Sequence, residues 1–140
     1  MITVEFTRGQ RRNSQLPEKN EYILINWRIP PHSHAWRPPT DVYEHGDEMI
    51  VRVEIAGMDE DSFSISLDQN TLLIRGIRPD TNEKRAYHQM EINFGEFISA
   101  VDLPYPIDID RVRAEYQNGF LWVILPKSQP KVIKIEKDSE

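Results

Sequence analysis

Short runs in which apolar and polar residues alternate follow one another along the chain from residue 36 onward. The first extends from Met49 to Ile55, and Gly57 ends it. Two further runs, 63–67 and 71–77, are separated by the turn-forming residues Asp68-Gln69-Asn70. A period of two is typical of strands with one buried face, so these last two runs predict a hairpin.

The second half of the chain continues this pattern. Residues 87–103 predict one long strand, kinked or bulged near Gly95 and ended by Pro104. Alternating runs at 112–116 and 121–125 flank Asn118-Gly119, which is the strongest short hairpin signal in a sequence. Only residues 58–62 suit a helix, and for one turn at most. The pattern therefore predicts an all-β fold, an antiparallel sandwich.

The two ends of the chain lack this pattern. Residues 1–35 show no sustained period and predict an arm, whereas 36–127 form the predicted domain and 128–140 a polar tail. The arm carries one apolar cluster, which is either an N-terminal strand or a surface for assembly and client capture: Ile23, Leu24, Ile25 and Trp27. The tail carries Ile133-Lys134-Ile135, which either docks on a groove or sheet edge or forms the last strand of its own sandwich.

Composition narrows the possible locations and partners. A length of 140 residues allows one domain of ordinary size, and a net charge of -6 argues against nucleic acid as the main partner. No apolar run is long enough to span a membrane, and Glu5 and Arg8 interrupt any signal peptide. With no cysteine in the chain, we expect a soluble, cytoplasmic protein that binds neither nucleic acid nor membrane.

The motifs of common active sites are absent from the sequence. It has no Gly-x-Ser-x-Gly, no phosphate-binding glycine loop and no His-Glu-x-x-His. His32 and His34 have a spacing that suits a metal, but beside Pro31 in an arm they are expected to be solvated. Asp108 and Asp110 follow Pro106, where carboxylates commonly cap a turn. We expect no enzyme activity, no cofactor and no metal.

The strongest signal is a resemblance to the small heat-shock proteins. Residues 114–121, Ala-Glu-Tyr-Gln-Asn-Gly-Phe-Leu, resemble the Ala-x-x-x-Asn-Gly-x-Leu signature of their α-crystallin domain, carried here by Ala114, Asn118, Gly119 and Leu121. Other elements of the family pattern occur in the same order: Pro39 to Glu44, Ile55 to Met58, Leu72-x-Ile74-x-Gly76, Phe94-Gly95-x-Phe97, Leu103-Pro104 and Ile133-x-Ile135. The resemblance covers about Trp36 to Ile135.

The resemblance implies an immunoglobulin-like sandwich that works as an ATP-independent holdase for unfolding client proteins. It also implies a homodimer that assembles into larger homo-oligomers through Ile133 and Ile135. The groove for that tail is expected to be lined by three residues: Ile65, Leu67 and Ile109. In the bacterial and plant branch, a strand in the loop between Gly76 and Tyr87 crosses to the partner subunit. The alternative within the same fold is a co-chaperone or adaptor that binds a partner chaperone.

Two positions depart from the family pattern. Small heat-shock proteins usually carry arginine at the positions of Ser99 and Ile92, and the first of these arginines pairs across the dimer interface. We therefore expect apolar contacts to replace part of the ionic network of the dimer. A carbohydrate-binding sandwich, a different class, would need a row of exposed aromatic residues, and the three tryptophans are too scattered for one.

Overall fold

Eight strands form two four-stranded sheets in the computed structural model, which describes residues 2–7, 35–129 and 135–136. The first sheet has the order β1-β4-β5-β6 and the second the order β2-β3-β8-β7. Neighbouring strands are antiparallel, except that β1 runs parallel to β4. The strands are β1 (Val4–Thr7), β2 (Thr40–His45), β3 (Glu48–Glu54), β4 (Ser64–Asp68), β5 (Thr71–Arg78), β6 (Gly95–Asp102), β7 (Arg113–Gln117) and β8 (Phe120–Pro126). The predicted all-β sandwich is confirmed.

The core lies between the two sheets and is built by the apolar members of each alternating run. In β3, Met49, Val51 and Val53 pair with apolar residues of β8 and are buried. Phe97 of β6 is fully buried and packs against the rings of Trp36 and Phe63. Because each strand places alternate residues on opposite faces, the same pattern that predicts the strands also predicts this core.

Both predicted hairpins are present. β4 pairs with β5 around Gln69, whose φ is 54°, and β7 pairs with β8 around Asn118 and Gly119. The φ values of Asn118 and Gly119 are 53° and 80°, as a two-residue turn of type I′ requires. This agreement follows from local chemistry, since few residues tolerate two successive positive φ angles.

The prediction of one strand over 87–103 is wrong in its first half. Strand β6 begins only at Gly95, where φ is 86°, and residues 87–94 have no strand partner among the described residues. The apolar members of that segment are exposed instead of buried. Residues 87–94 do alternate as a strand would, but no described residue covers their apolar side chains.

Three elements lie outside the predicted runs: β1, β2 and one 3-10 turn. β1 lies within the segment predicted as an arm, and it pairs with a strand about 60 residues away, so no local turn signal announces it. One 3-10 turn, Ile109–Arg111, precedes β7. At its start, the carboxylate of Asp108 accepts a hydrogen bond from the Asp110 amide at 3.2 Å. That capping role is the one expected for Asp108. A second 3-10 turn, Glu60–Ser62, lies in the segment predicted to make one helical turn.

Candidate functional site

The side of the sandwich between β4 and β7 is here called the β4–β7 groove; β7 is an outer strand of its sheet, whereas the free edge of β4 is covered by β1. Its β4 side is formed by Phe63, Ile65 and Leu67, and its β7 side by Ala114 and Tyr116. The rings of Phe63 and Tyr116 have centroids 5.0 Å apart. The Tyr116 hydroxyl donates to the carbonyl oxygen of Ile55 at 2.8 Å. This hydrogen bond satisfies the polar end of the ring and leaves its apolar face to the groove.

The structure brings together two of the three residues expected to line the tail-docking groove. Ile65 and Leu67 are only 1% and 2% exposed and belong to the buried core cluster. Ile109 is 40% exposed, outside the buried cluster, in the 3-10 turn beside β8. Val112 and Ala114 instead pack against the cluster. The alternation over 112–116 contained this signal, because it assigns both residues to the inward face.

A second apolar surface lies at the end of the loop between β5 and β6. Met90, Ile92 and Phe94, here called the loop stripe, alternate along the chain and are 69%, 64% and 39% exposed. Arg78 holds the base of this segment, since its Nε donates to the Asn93 carbonyl oxygen at 2.8 Å. The same guanidinium lies 5.4 Å from the centroid of the Phe94 ring. The stripe therefore stays exposed among the described residues, with Arg78 at its base.

The tip of the same loop is tied by a small ionic network. Arg85 forms ion pairs with Asp80 at 3.2 Å and Glu83 at 3.7 Å, and it donates to the Tyr87 hydroxyl at 2.8 Å. The hydrogen bond to Tyr87 and the nearby Asp80 carboxylate raise the pKa of Arg85. These contacts connect Arg85 to Asp80, Glu83 and Tyr87 in the loop that leads into the stripe.

An open strand edge lies on the opposite sheet. β2 is the outermost strand of its sheet and pairs only with β3 among the described residues. Its side chains include Val42 and Tyr43, which are 42% and 39% exposed. Arg52 of β3 is ion-paired with Asp41 of β2, and this hydrogen bond raises the pKa of Arg52. An unpaired edge with apolar side chains is a surface on which another strand can add.

Ser99, one of the two departures from the family pattern, is buried between the sheets. Its hydroxyl lies 2.9 Å from Oγ1 of Thr40, and Thr40 donates its own proton to the Pro38 carbonyl oxygen at 2.9 Å. Ser99 must therefore be the donor to Thr40, which links β6 to β2. Ile92, the other departure, belongs to the exposed loop stripe.

The signature motif has a structural role. Gly119 adopts a positive φ, and a Cβ there would lie 3.2 Å from Cβ of Ala56. Its carbonyl oxygen accepts a hydrogen bond from the Ile55 amide at 2.8 Å, and Leu121 is fully buried. Ala114, Asn118, Gly119 and Leu121 therefore shape the β7 side of the groove through the hairpin that carries it.

Several predicted site residues are not in the described part of the chain. The arm cluster of Ile23, Leu24, Ile25 and Trp27, together with His32, His34 and Ile133, lies outside it. Ile135 is described and is 85% exposed. Among the described residues, no group of three or more potential ligands could hold a metal ion, and no helix within them is long and apolar enough to cross a membrane.

Comparison with known proteins gives one consistent result. Residues 41–139 match the Hsp20/alpha crystallin family. Small heat shock protein C4 of Rickettsia felis is 34% identical over 121 residues, which cover 83% of this chain and 74% of that protein. The probable 15 kDa heat shock protein of Leptospira interrogans is 27% identical over 91% of this chain and 98% of its own length. Heat shock protein 16.0 from Schizosaccharomyces pombe superimposes with a TM-score of 0.59 and 31% identity, over 72% of this chain and 98% of that one.

Proposed function

The chain belongs to the Hsp20/alpha crystallin family, and we propose that it acts as a homo-oligomeric holdase for unfolding proteins. Small heat shock proteins are ATP-independent chaperones and not enzymes, and this chain has their function. The family forms oligomers and binds unfolded clients. The co-chaperone alternative is not favoured by these relatives. The observation that carries the proposal is a sandwich whose described residues include exposed apolar side chains and a strand edge, that of β2, with no partner among them.

The proposed dimer joins the loop stripe of one subunit to the β2 edge of the other. Met90, Ile92 and Phe94 have the alternation of a strand but no partner among the described residues. β2 offers free backbone groups together with exposed Val42 and Tyr43. The loop stripe of each copy would pair with the β2 edge of the other. Both unpartnered surfaces are then covered in a symmetric dimer. An apolar stripe centred on Ile92 would take the place of part of the ionic pairing usual in the family.

We propose that the dimers assemble through their tails. Ile133 and Ile135 would dock in the β4–β7 groove of another dimer, above Ile65 and Leu67, with Ile109 at its outer end. Support comes from the apolar side chains along that groove and from the exposure of Ile135. Several weak docking contacts on one particle reinforce one another through effective concentration, which holds an oligomer that still exchanges subunits.

Client capture is assigned to the arm in this proposal. Its cluster of Ile23, Leu24, Ile25 and Trp27 contains the densest apolar run before residue 36. Covering apolar surface that a client exposes stabilises the complex by about 25 cal/mol per Å², without any need for nucleotide. Residues 36–127 would act as the scaffold, and 1–35 and 128–140 as its working segments. The proposed compartment is the cytoplasm, on the sequence grounds given above.

The test of this proposal is the mass and composition of the particle before and after heating with a model client. Size-exclusion chromatography with light scattering should give an oligomer for the chain alone. After heating, the client should elute with the chain in a larger soluble complex. A chain that stays monomeric at every concentration, or a client that precipitates alone, would contradict it.

A further inference from the structure

Strand β1 occupies the edge of β4 that borders the β4–β7 groove. It pairs in parallel, with Val4 beside Ile65 and Phe6 beside Leu67. Ile2 and Val4 are partly buried and pack against the core cluster. Phe6 remains 36% exposed, so the segment covers the edge without being fully enclosed.

This occupant has the same pattern as the tail. Ile2-Thr3-Val4 and Ile133-Lys134-Ile135 each place two branched apolar side chains on one face of an extended segment, with a polar residue between them. A strand edge offers one row of backbone donors and acceptors, so it can pair with only one added strand at a time. We infer that β1 is an internal plug of the tail-docking edge, and that the tail of a second copy must displace it. This inference rests on the tail docking in the proposed function.

The competition has a defined dependence on concentration. β1 is attached to the sheet it covers, so its effective concentration does not change with dilution, whereas the tail belongs to another copy. Only subunits whose β4 edge is free can bind the tail. The apparent dissociation constant of the tail therefore equals its intrinsic value divided by the fraction of subunits with a free edge. A low protein concentration therefore favours the subunit whose β4 edge is covered by β1, and a high concentration favours the oligomer held by the tails.

A disulfide can lock the plug and test the inference directly. Glu5 and Ser66 are register partners in β1 and β4. Adjacent strands lie about 4.7–4.9 Å apart, within the Cα separation that a disulfide spans. The chain has no cysteine, so Glu5→Cys/Ser66→Cys introduces a single pair. The matched control is Thr71→Cys/Asp102→Cys, which joins the partners β5 and β6 away from the groove.

The particle mass of each variant is compared under oxidising and reducing conditions. The locked variant should be a dimer when oxidised and should regain the parent's mass when reduced, with little change in β-sheet circular dichroism. The control should keep the parent's mass in both states.

The outcomes separate this inference from the tail docking on which it rests. If Ile133→Ala/Ile135→Ala assembles like the parent, the tail does not hold the oligomer and the proposed function fails at that step. If that variant falls to dimers while the oxidised lock still assembles, the plug inference is overturned. Failure of the Glu5→Cys/Ser66→Cys pair to oxidise within one chain, while the control pair does, would also overturn it.

Discussion

Replacing Ile92 by serine should weaken the dimer strongly while leaving the subunit folded. The Ile92 side chain is 64% exposed in the single chain, so its removal opens no cavity in the sandwich. In the proposed dimer that exposed area is covered by the partner's β2. Fully burying an isoleucine stabilises by about 1.5–3 kcal/mol, so covering this exposed part should contribute about 1–2 kcal/mol.

The substitution acts twice in each dimer, because the exchange is reciprocal. The expected loss is therefore about 2–4 kcal/mol, which corresponds to a dimer dissociation constant raised roughly 30-fold to 1,000-fold. The assay is sedimentation velocity over a dilution series in the Ile133→Ala/Ile135→Ala background, where larger particles do not obscure the dimer. Lys84→Ser in the same loop is the control, since its side chain is exposed and lies outside the stripe. Equal dissociation constants for Ile92→Ser and Lys84→Ser would refute the proposed role of the stripe.

Three further predictions concern the core, the link between the sheets and the arm. Gly76→Ala should lower the free energy of unfolding by about 1–3 kcal/mol, because its Cβ would lie 2.5 Å from Cζ of Phe97. In a double-mutant cycle measured by urea denaturation, Phe97→Leu should recover part of this loss. Purely additive effects of the two substitutions would contradict the clash. Ser99→Ala should lower the same free energy by about 1 kcal/mol through loss of the hydrogen bond to Thr40, and an unchanged urea midpoint would contradict that role. Serine at all four apolar positions of the arm cluster (Ile23, Leu24, Ile25 and Trp27) should reduce client protection without altering the melting temperature, and full protection by this variant would show that clients bind elsewhere.

The predicted elements that the structure confirms are those with a local physical signature. Asn118-Gly119 specifies its hairpin because two successive positive φ angles suit very few residues. The alternation in β3 specifies its buried face because the strand period is two. In both cases the deciding interactions lie within a few residues along the chain.

Strand β1, which sequence reasoning missed, depends on a distant partner. β1 is four residues long and is defined by pairing with β4, so its existence cannot be deduced from its own residues. Residues 87–94 show the opposite case. They have a strand-like pattern, but they pair with no strand within the described part of the chain. An alternating pattern indicates which side chains share one face of a strand. It does not identify the surface against which that face packs. Of the three residues expected to line the tail-docking groove, Ile65 and Leu67 are buried and Ile109 is 40% exposed, and the docking itself stays a prediction.

The most direct test of the central claim is the aggregation of a heated model client followed by light scattering, with and without ATP. At a near-stoichiometric ratio of chain to client, the chain should suppress the increase in scattering to the same extent in both conditions. This is expected because protection comes from covering apolar surface and not from a driven cycle. Aggregation that proceeds unchanged in the presence of the chain, or suppression that requires ATP, would contradict the assignment as an ATP-independent chaperone.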